Sequence, residues 1–118
     1  MTSPWDKEAK PLAGSPTVTI LERLAKFFPD ATPLRLPVRL IRGKGTGLIE
    51  DTVIEFGTPT EVLFASRLPL EFGDTVRLEN SNGSLNVEAL VVALQHHNGR
   101  TAVAARFTRD VPNWIVKL

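Results

Sequence analysis

The residues best suited to chemistry form a local group of basic side chains. The group consists of Arg35, Arg39, Arg42 and Lys44, and no acidic residue occurs at positions 31–49. Guanidinium groups bind phosphate oxygens through paired hydrogen bonds and stack on planar bases. The group therefore predicts a local anion site. The alternative is a solvated strand edge whose positive charge opposes pairing with another sheet.

Other residues with catalytic or metal-binding chemistry form no recognised arrangement. His96 and His97 are adjacent, and adjacent strand residues point to opposite faces, so we predict exposed hairpin histidines rather than metal ligands. The glycine-rich run GKGTG at residues 43–47 lacks the GK[ST] ending and the following helix of a phosphate-binding loop. No nucleophile elbow or paired-acid spacing occurs. We predict no catalysis, no metal and no cofactor.

Length and composition limit the remaining possibilities. The chain has 118 residues, 42% of them hydrophobic, which is enough for one domain with a real core. There are 14 Lys and Arg against 13 Asp and Glu, so the net charge of +1 gives no general attraction to nucleic acid or to an anionic membrane. Cysteine is absent, and no apolar run suits a signal peptide or a membrane span. We expect a cytoplasmic protein without membrane insertion.

The clearest structural signal is a three-stranded meander over residues 69–107. Its segments PLEFGDTVRLE, LNVEALVVALQ and RTAVAARF are joined by connections that contain Asn82-Gly83 and Asn98-Gly99. Because Asn-Gly suits the two positive φ angles of a type I′ turn, both connections are predicted to be such turns. With the LRLPVRL stretch and residues 48–56 and 61–66, about six strands are predicted. This number favours a mainly β fold, a small six-stranded antiparallel β-barrel.

A short α-helix is predicted before the strands, over about residues 19–28. Thr19 and Glu22 fit a capping box, and Pro29 prevents continuation. Apolar residues recur at helical spacing at Ile20, Leu21, Leu24, Phe27 and Phe28. The polar, proline-containing residues 1–15 are predicted to be a flexible tail. A single domain then spans residues 16–118.

The long strand of the meander is apolar on both faces. One predicted face carries Leu85, Val87, Ala89, Val91 and Ala93, and the other carries Leu90, Val92 and Leu94. A strand buried on one face only would not need the second set. We therefore predict that the outside of the barrel is covered, by the chain's own helix or by a partner.

The carboxyl-terminal segment DVPNWIVKL is too apolar for a free tail. Trp114, Ile115 and Leu118 carry most of its apolar surface. We expect the segment to fold back on the barrel or the helix. If exposed, these three residues would be a partner contact.

The strand order and several segments resemble the PilZ family. The similarity lies in LPLEFGDTVRL at residues 68–78, the long strand LNVEALVVAL, the closing strand TAVAARF and the opening strand LRLPVRL. It covers about residues 34–114. The resemblance implies a six-stranded split barrel and a signalling role in bacteria, since members commonly act as cyclic di-GMP receptors.

In that family the ligand is held by an R-x-x-x-R segment near the first strand and a D/N-x-S-x-x-G turn between the second and third strands. Arg35 and Arg39 spell the first motif. The second falls on residues 55–60, where Glu55 keeps a longer carboxylate, Gly57 removes the hydroxyl and Thr60 replaces the final glycine. The resemblance thus implies a cyclic di-GMP site at Arg35, Arg39, Arg42, Glu55, Gly57 and Thr60, with its second half degraded.

Three interpretations follow. The first is a non-enzymatic adaptor with an unidentified protein partner and weak or lost cyclic di-GMP binding. The second is a working cyclic di-GMP receptor that uses Arg35 and Arg39. The third is a small nucleic-acid-binding barrel, which lacks aromatic platforms because no Phe or Trp occurs at positions 30–55.

Overall fold

The computed structural model describes residues 16–43, 47–112 and 114, with side chains from residue 20 onward. The predicted flexible tail at residues 1–15 lies outside the described residues. So do two residues of the expected partner contact, Ile115 and Leu118.

The described chain forms one helix followed by a closed antiparallel barrel. The strand order around the barrel is β1-β2-β3-β6-β5-β4, and every neighbouring pair is antiparallel. This confirms the predicted six-stranded barrel with a helix. The elements are α1 (Pro16–Ala25), β1 (Thr32–Arg42), β2 (Leu48–Gly57), β3 (Glu61–Ser66), β4 (Thr75–Glu79), β5 (Asn86–His97) and β6 (Arg100–Phe107).

The barrel interior holds the main core, because alternate residues of each strand point inward. On β1 the inward positions Val38 and Leu40 are buried, whereas Arg35 and Arg39 are exposed. Among the described side chains, Phe64 of β3 is the largest that is fully buried. Arg35 and Arg39 are therefore held on the outer surface by the same alternation that fills the core.

Helix α1 covers part of the outside of the barrel, as the two-faced strand predicts. Ile20, Leu21 and Leu24 are buried against β3 and β6 in a second cluster with Leu63 and Ala104. The predicted helix bounds are wrong at both ends. The helix begins at Pro16, a residue favoured at the first helical position, so Thr19 is inside the helix and is not its cap.

The chain tightens after Ala25, where the amides of Phe27 and Phe28 bond to carbonyls three residues earlier. Phe27 leaves the apolar face as a result and is 76% exposed, contrary to the predicted stripe. Among the described residues, no helix has the length and apolarity that a membrane crossing requires.

One of the two predicted type I′ turns is present. Asn98 and Gly99 both have positive φ, at 47° and 80°, and join β5 to β6 with His97 opposite Arg100. The prediction for Asn82-Gly83 is wrong, because Gly83 but not Asn82 has positive φ. There the chain makes a longer loop in which the Asn80 side chain accepts a hydrogen bond from the Leu85 amide.

A β-bulge changes the faces of β5. The register with β6 shifts between Val91 and Ala93. Ala93 therefore packs towards the helix cluster and Leu94 against the barrel core, the reverse of the predicted assignment. A bulge adds one residue to one strand and so moves later side chains to the other face.

Candidate functional site

The first predicted ligand motif lies within β1. Arg35 and Arg39 both point outward, with side chains 75% and 58% exposed. Four residues of extended strand span roughly 13 Å, so the two guanidinium groups leave the strand far apart. In the structure each guanidinium group lies beside its own carboxylate.

Each of these arginines meets a different carboxylate of β2. Arg35 Nη1 lies 3.7 Å from Glu55 Oε2, so the structure brings two of the predicted site residues together. Arg39 Nε lies 3.5 Å from Asp51 Oδ1, a residue that the sequence did not single out. The positive charge of each arginine is offset locally by a neighbouring strand.

Arg42 is apart from the other two arginines and has a structural partner. Its Nε donates to Asp74 Oδ2 at 3.0 Å, and the same oxygen accepts from the Glu71 amide at 2.8 Å. The two side chains are 35% and 22% exposed. This half-buried pair ties the end of β1 to the loop between β3 and β4.

The second predicted motif forms a tight turn closed on Thr58. The Thr58 hydroxyl accepts hydrogen bonds from the amides of Thr60 and Glu61 at 3.1 and 2.8 Å and donates to Glu61 Oε1 at 2.8 Å. The Thr58 amide donates to the Glu61 carbonyl at 2.9 Å. Thr58 itself is 3% exposed, so the side chain that closes this turn is buried.

Trp114 folds back onto this turn. Its indole Nε1 donates to the Thr58 carbonyl at 2.9 Å, and its ring meets Phe107 edge-to-face with centroids 5.3 Å apart. A Cβ added to Gly57 would lie 2.6 Å from Cζ2 of the indole, well inside van der Waals contact. Gly57 thus makes room for Trp114, and the surface of the turn at this point is occupied by the chain itself.

Two clefts lie on either side of Pro59 and Thr60. One, of about 450 Å³, is bounded by Phe27 and Phe28 at the end of the helix, and the other, of about 240 Å³, lies against Phe107. Arg106 borders both clefts. The predicted ligand residue Thr60 lies here, and neither Arg35 nor Arg39 lines these two clefts.

Arg106 is held in place between the clefts. Its Nε and Nη2 donate to Glu61 Oε2 at 3.1 and 2.9 Å. Together with the exposed ring of Phe27, these groups form what we name the Phe27 surface: Phe27, Phe28, Pro59, Thr60 and Arg106.

A third cleft of about 500 Å³ opens beside Arg39, where β1 runs past the end of β4. Arg39 shares its lining with two carboxylates, Asp51 and Glu79. Because the acidic groups outnumber the basic one, this cleft does not favour a phosphate.

The histidines make local hydrogen bonds. His96 Nδ1 lies 2.9 Å from Thr101 Oγ1, and His97 Nε2 lies 3.1 Å from Asn98 Nδ2. Within residues 16–43, 47–112 and 114, no group of three or more His, Cys, Asp or Glu side chains could hold a metal ion.

Sequence reasoning missed Thr58, Arg106 and the exposure of Phe27. Thr58 was discoverable, because T-P-T-E at residues 58–61 has the same T-x-x-E spacing that was assigned to Thr19 and Glu22. Nothing in the sequence marked Arg106, whose partner Glu61 is 45 positions away.

Comparison of the chain with protein-family models and with curated protein sequences finds no match. The resemblance to the PilZ family therefore stays a prediction.

Proposed function

We propose that the protein is a non-enzymatic, PilZ-like signalling module of the bacterial cytoplasm. It acts as a protein-interaction adaptor, with cyclic di-GMP binding weak or lost. The observation that carries this proposal is that the residues predicted to hold the nucleotide are engaged with other parts of the same chain.

The arginines support it through charge. Arg35, Arg39 and Arg42 each face a separate carboxylate, at 3.7, 3.5 and 3.0 Å. A phosphate approaching one of these arginines would also meet its carboxylate, and the repulsion between the two anions opposes binding. Recruiting Arg42 would in addition leave Asp74 half-buried without its counter-ion.

The turn at residues 57–60 also supports the adaptor proposal, because Trp114 already occupies its surface. The indole of Trp114 covers Gly57 and takes the Thr58 carbonyl as its hydrogen-bond acceptor. A base edge that approached this part of the turn would have to displace the indole. Glu55, the one acidic group kept from the family's turn, is already beside Arg35.

The Phe27 surface supports a role in protein contacts. Phe27 is 76% exposed at the rim of an open cleft, and Pro59 and Arg106 border it. Aromatic side chains, Phe among them, and arginine are enriched in protein–protein interfaces. Partner binding here would leave the arginines of β1 untouched.

A working cyclic di-GMP receptor is the second candidate. The observation in its favour is the exposure of Arg35, whose ion pair with Glu55 is long at 3.7 Å. Exposed ion pairs of this kind contribute about 0–1 kcal/mol, so a ligand could break this one at little cost.

Calorimetric titration with cyclic di-GMP separates the two candidates. The adaptor proposal expects no saturable heat at protein and nucleotide concentrations of about 50 μM. Saturable binding that is lost in the double variant Arg35→Ala, Arg39→Ala would establish the receptor instead. Binding that survives the double variant would refute both the adaptor proposal and the assignment of these arginines.

The adaptor role is tested by site-specific photo-crosslinking in cells of the source organism. A photoreactive phenylalanine analogue at Phe27 should give a discrete higher-mass product that is absent when the analogue replaces Phe72, which is 75% exposed in the loop between β3 and β4. The product should disappear when Arg106→Ala is added, because Arg106 borders the same cleft. Equal products from both positions would contradict a specific partner surface.

A further inference from the structure

A second surface lies on the outer face of strands β1 and β2. The antiparallel register sets three outward pairs side by side on what we name the β1–β2 face: Pro37 with Val53, Arg39 with Asp51, and Ile41 with Ile49. In these three pairs one charged row lies between two apolar rows, and a second charged row, Arg35 with Glu55, follows beyond Pro37 and Val53.

This face is open. Ile49 is 60% exposed, the Asp51 side chain 82% and the Arg39 side chain 58%. Helix α1 packs its buried residues on β3 and β6 instead, so it does not cover this part of the barrel. Ile49, near the beginning of β2, therefore exposes its apolar side chain beside Ile41 on the paired strand.

The charges of the face are arranged by strand. The basic residues Arg35 and Arg39 are both on β1, and the acidic residues Asp51 and Glu55 that meet them are both on β2. Each apolar row contains one residue of each strand at the same height, as Ile41 of β1 and Ile49 of β2 do. One strand is positive and its neighbour is negative at matched heights.

Such a pattern is complementary to itself under one kind of two-fold axis. An axis that runs parallel to the strands, between β1 and β2, places β1 of one copy over β2 of the other at the same height. Arg39 then faces Asp51 of the second copy, and Ile41 faces Ile49. An axis perpendicular to the strands would instead place arginine-bearing β1 over β1, where like charges repel.

We propose that the protein self-associates through the β1–β2 face as a two-fold symmetric dimer in which β1 of each copy packs over β2 of the other. The occupant of the exposed face is a second copy of this chain. The proposal is independent of the adaptor function, which uses the Phe27 surface.

The dimer is weak and reversible. A barrel surface is convex, so two barrels would touch mainly along β1 and β2 of each copy. The interface therefore belongs to the small class that buries less than about 1,200 Å². We expect a dissociation constant between about 10 μM and 1 mM. Because the central row is charged, high salt should weaken association.

Charge exchange tests the geometry. Sedimentation equilibrium of the full chain should show the average mass rising towards twice the monomer mass as concentration approaches about 1 mM. The single variants Arg39→Asp and Asp51→Arg should each remain monomeric, because like charges then face each other. An equimolar mixture of the two should dimerise again, since the carboxylate introduced in one variant meets the guanidinium introduced in the other.

Two further proteins complete the test. The double variant Arg39→Asp with Asp51→Arg restores the ion pair within the chain in reverse, so it should fold and dimerise like the unchanged protein. Phe27→Ser removes an exposed aromatic group from the Phe27 surface and should leave dimerisation unchanged.

Three results would overturn the proposal. The unchanged protein could stay monomeric up to about 1 mM. The mixture and the double variant could both stay monomeric while the unchanged protein dimerises. Phe27→Ser could abolish dimerisation, which would move the contact to the Phe27 surface.

Discussion

The docking of Trp114 on Gly57 can be tested by combining two substitutions. Trp114→Ala removes the indole, and Gly57→Ala adds a methyl group that would lie 2.6 Å from indole Cζ2 and so pushes the ring away. If the two residues act through the same contact, the effect of the pair on the free energy of unfolding will be smaller than the sum of the single effects.

The magnitude follows from the contacts of the indole. The edge-to-face contact with Phe107 contributes about 1 kcal/mol, and the hydrogen bond to the Thr58 carbonyl about 1 kcal/mol. Burying roughly 100 Å² of the half-buried ring adds about 2.5 kcal/mol, and ordering the segment that carries it costs about 2–3 kcal/mol. Trp114→Ala should therefore lower the free energy of unfolding by about 2 kcal/mol.

Gly57→Ala should lower the free energy of unfolding by no more than about 2 kcal/mol, the loss expected for Trp114→Ala, because the indole can move away from the added methyl group. In the Trp114→Ala background the methyl group meets mainly Leu34 Cδ2 at 3.0 Å, so its cost should fall below about 0.5 kcal/mol. The predicted coupling energy is about 1.5 kcal/mol. Urea unfolding followed by far-ultraviolet circular dichroism measures all four proteins without relying on tryptophan fluorescence. Equal costs of Gly57→Ala in both backgrounds would refute the contact.

The remaining predictions also concern stability, measured by the same urea unfolding. Arg42→Ala breaks the half-buried ion pair that holds the β3–β4 loop and should lower the free energy of unfolding by about 1–3 kcal/mol. Arg39→Ala removes an exposed ion pair and should lower it by less than about 0.5 kcal/mol. Equal losses would contradict the structural role of Arg42. Asn98→Ala places a less tolerant side chain at φ 47° and should cost about 1 kcal/mol, and no loss would argue against the type I′ turn. Leu21→Ala, at a position 1% exposed, should cost about 3 kcal/mol, and Phe27→Ala, 76% exposed, about 0.5 kcal/mol or less; the reverse order would refute the observed end of the helix.

The turns show what the sequence could and could not predict about the fold. Asn98-Gly99 stands directly between two paired strands, and a two-residue connection leaves the backbone few choices. The other Asn-Gly pair lies in a loop whose Asn80 uses its side chain to bond Ser84 and the Leu85 amide. Those bonds build a wider loop, and a dipeptide signal does not report them.

The helix and the bulge show the same limit. The presence of the helix and its packing on the barrel followed from apolar spacing and from the two-faced strand. The ends of the helix did not follow from the sequence, because the T-x-x-E spacing is not specific to helix caps. The helix begins at Pro16, before Thr19, and the same spacing at Thr58 and Glu61 closes a turn. The bulge beside Val91 has no glycine or proline to mark it.

The candidate site was predictable in its residue types but not in its pairings. The arginines of β1 were evident from their spacing. Their carboxylate partners on β2 depend on the register of two strands, and Asp74 is 32 positions from Arg42. Likewise, only the folded chain brings Trp114 to Thr58, 56 positions earlier.

The most direct test of the central claim is a residue-resolved titration of the backbone amide spectrum with cyclic di-GMP. We predict that the signals of Arg35, Glu55 and Thr60 stay unchanged up to about 100 μM nucleotide, because these groups are engaged within the chain. Saturable shifts centred on those same signals would contradict the claim and identify the protein as a nucleotide receptor.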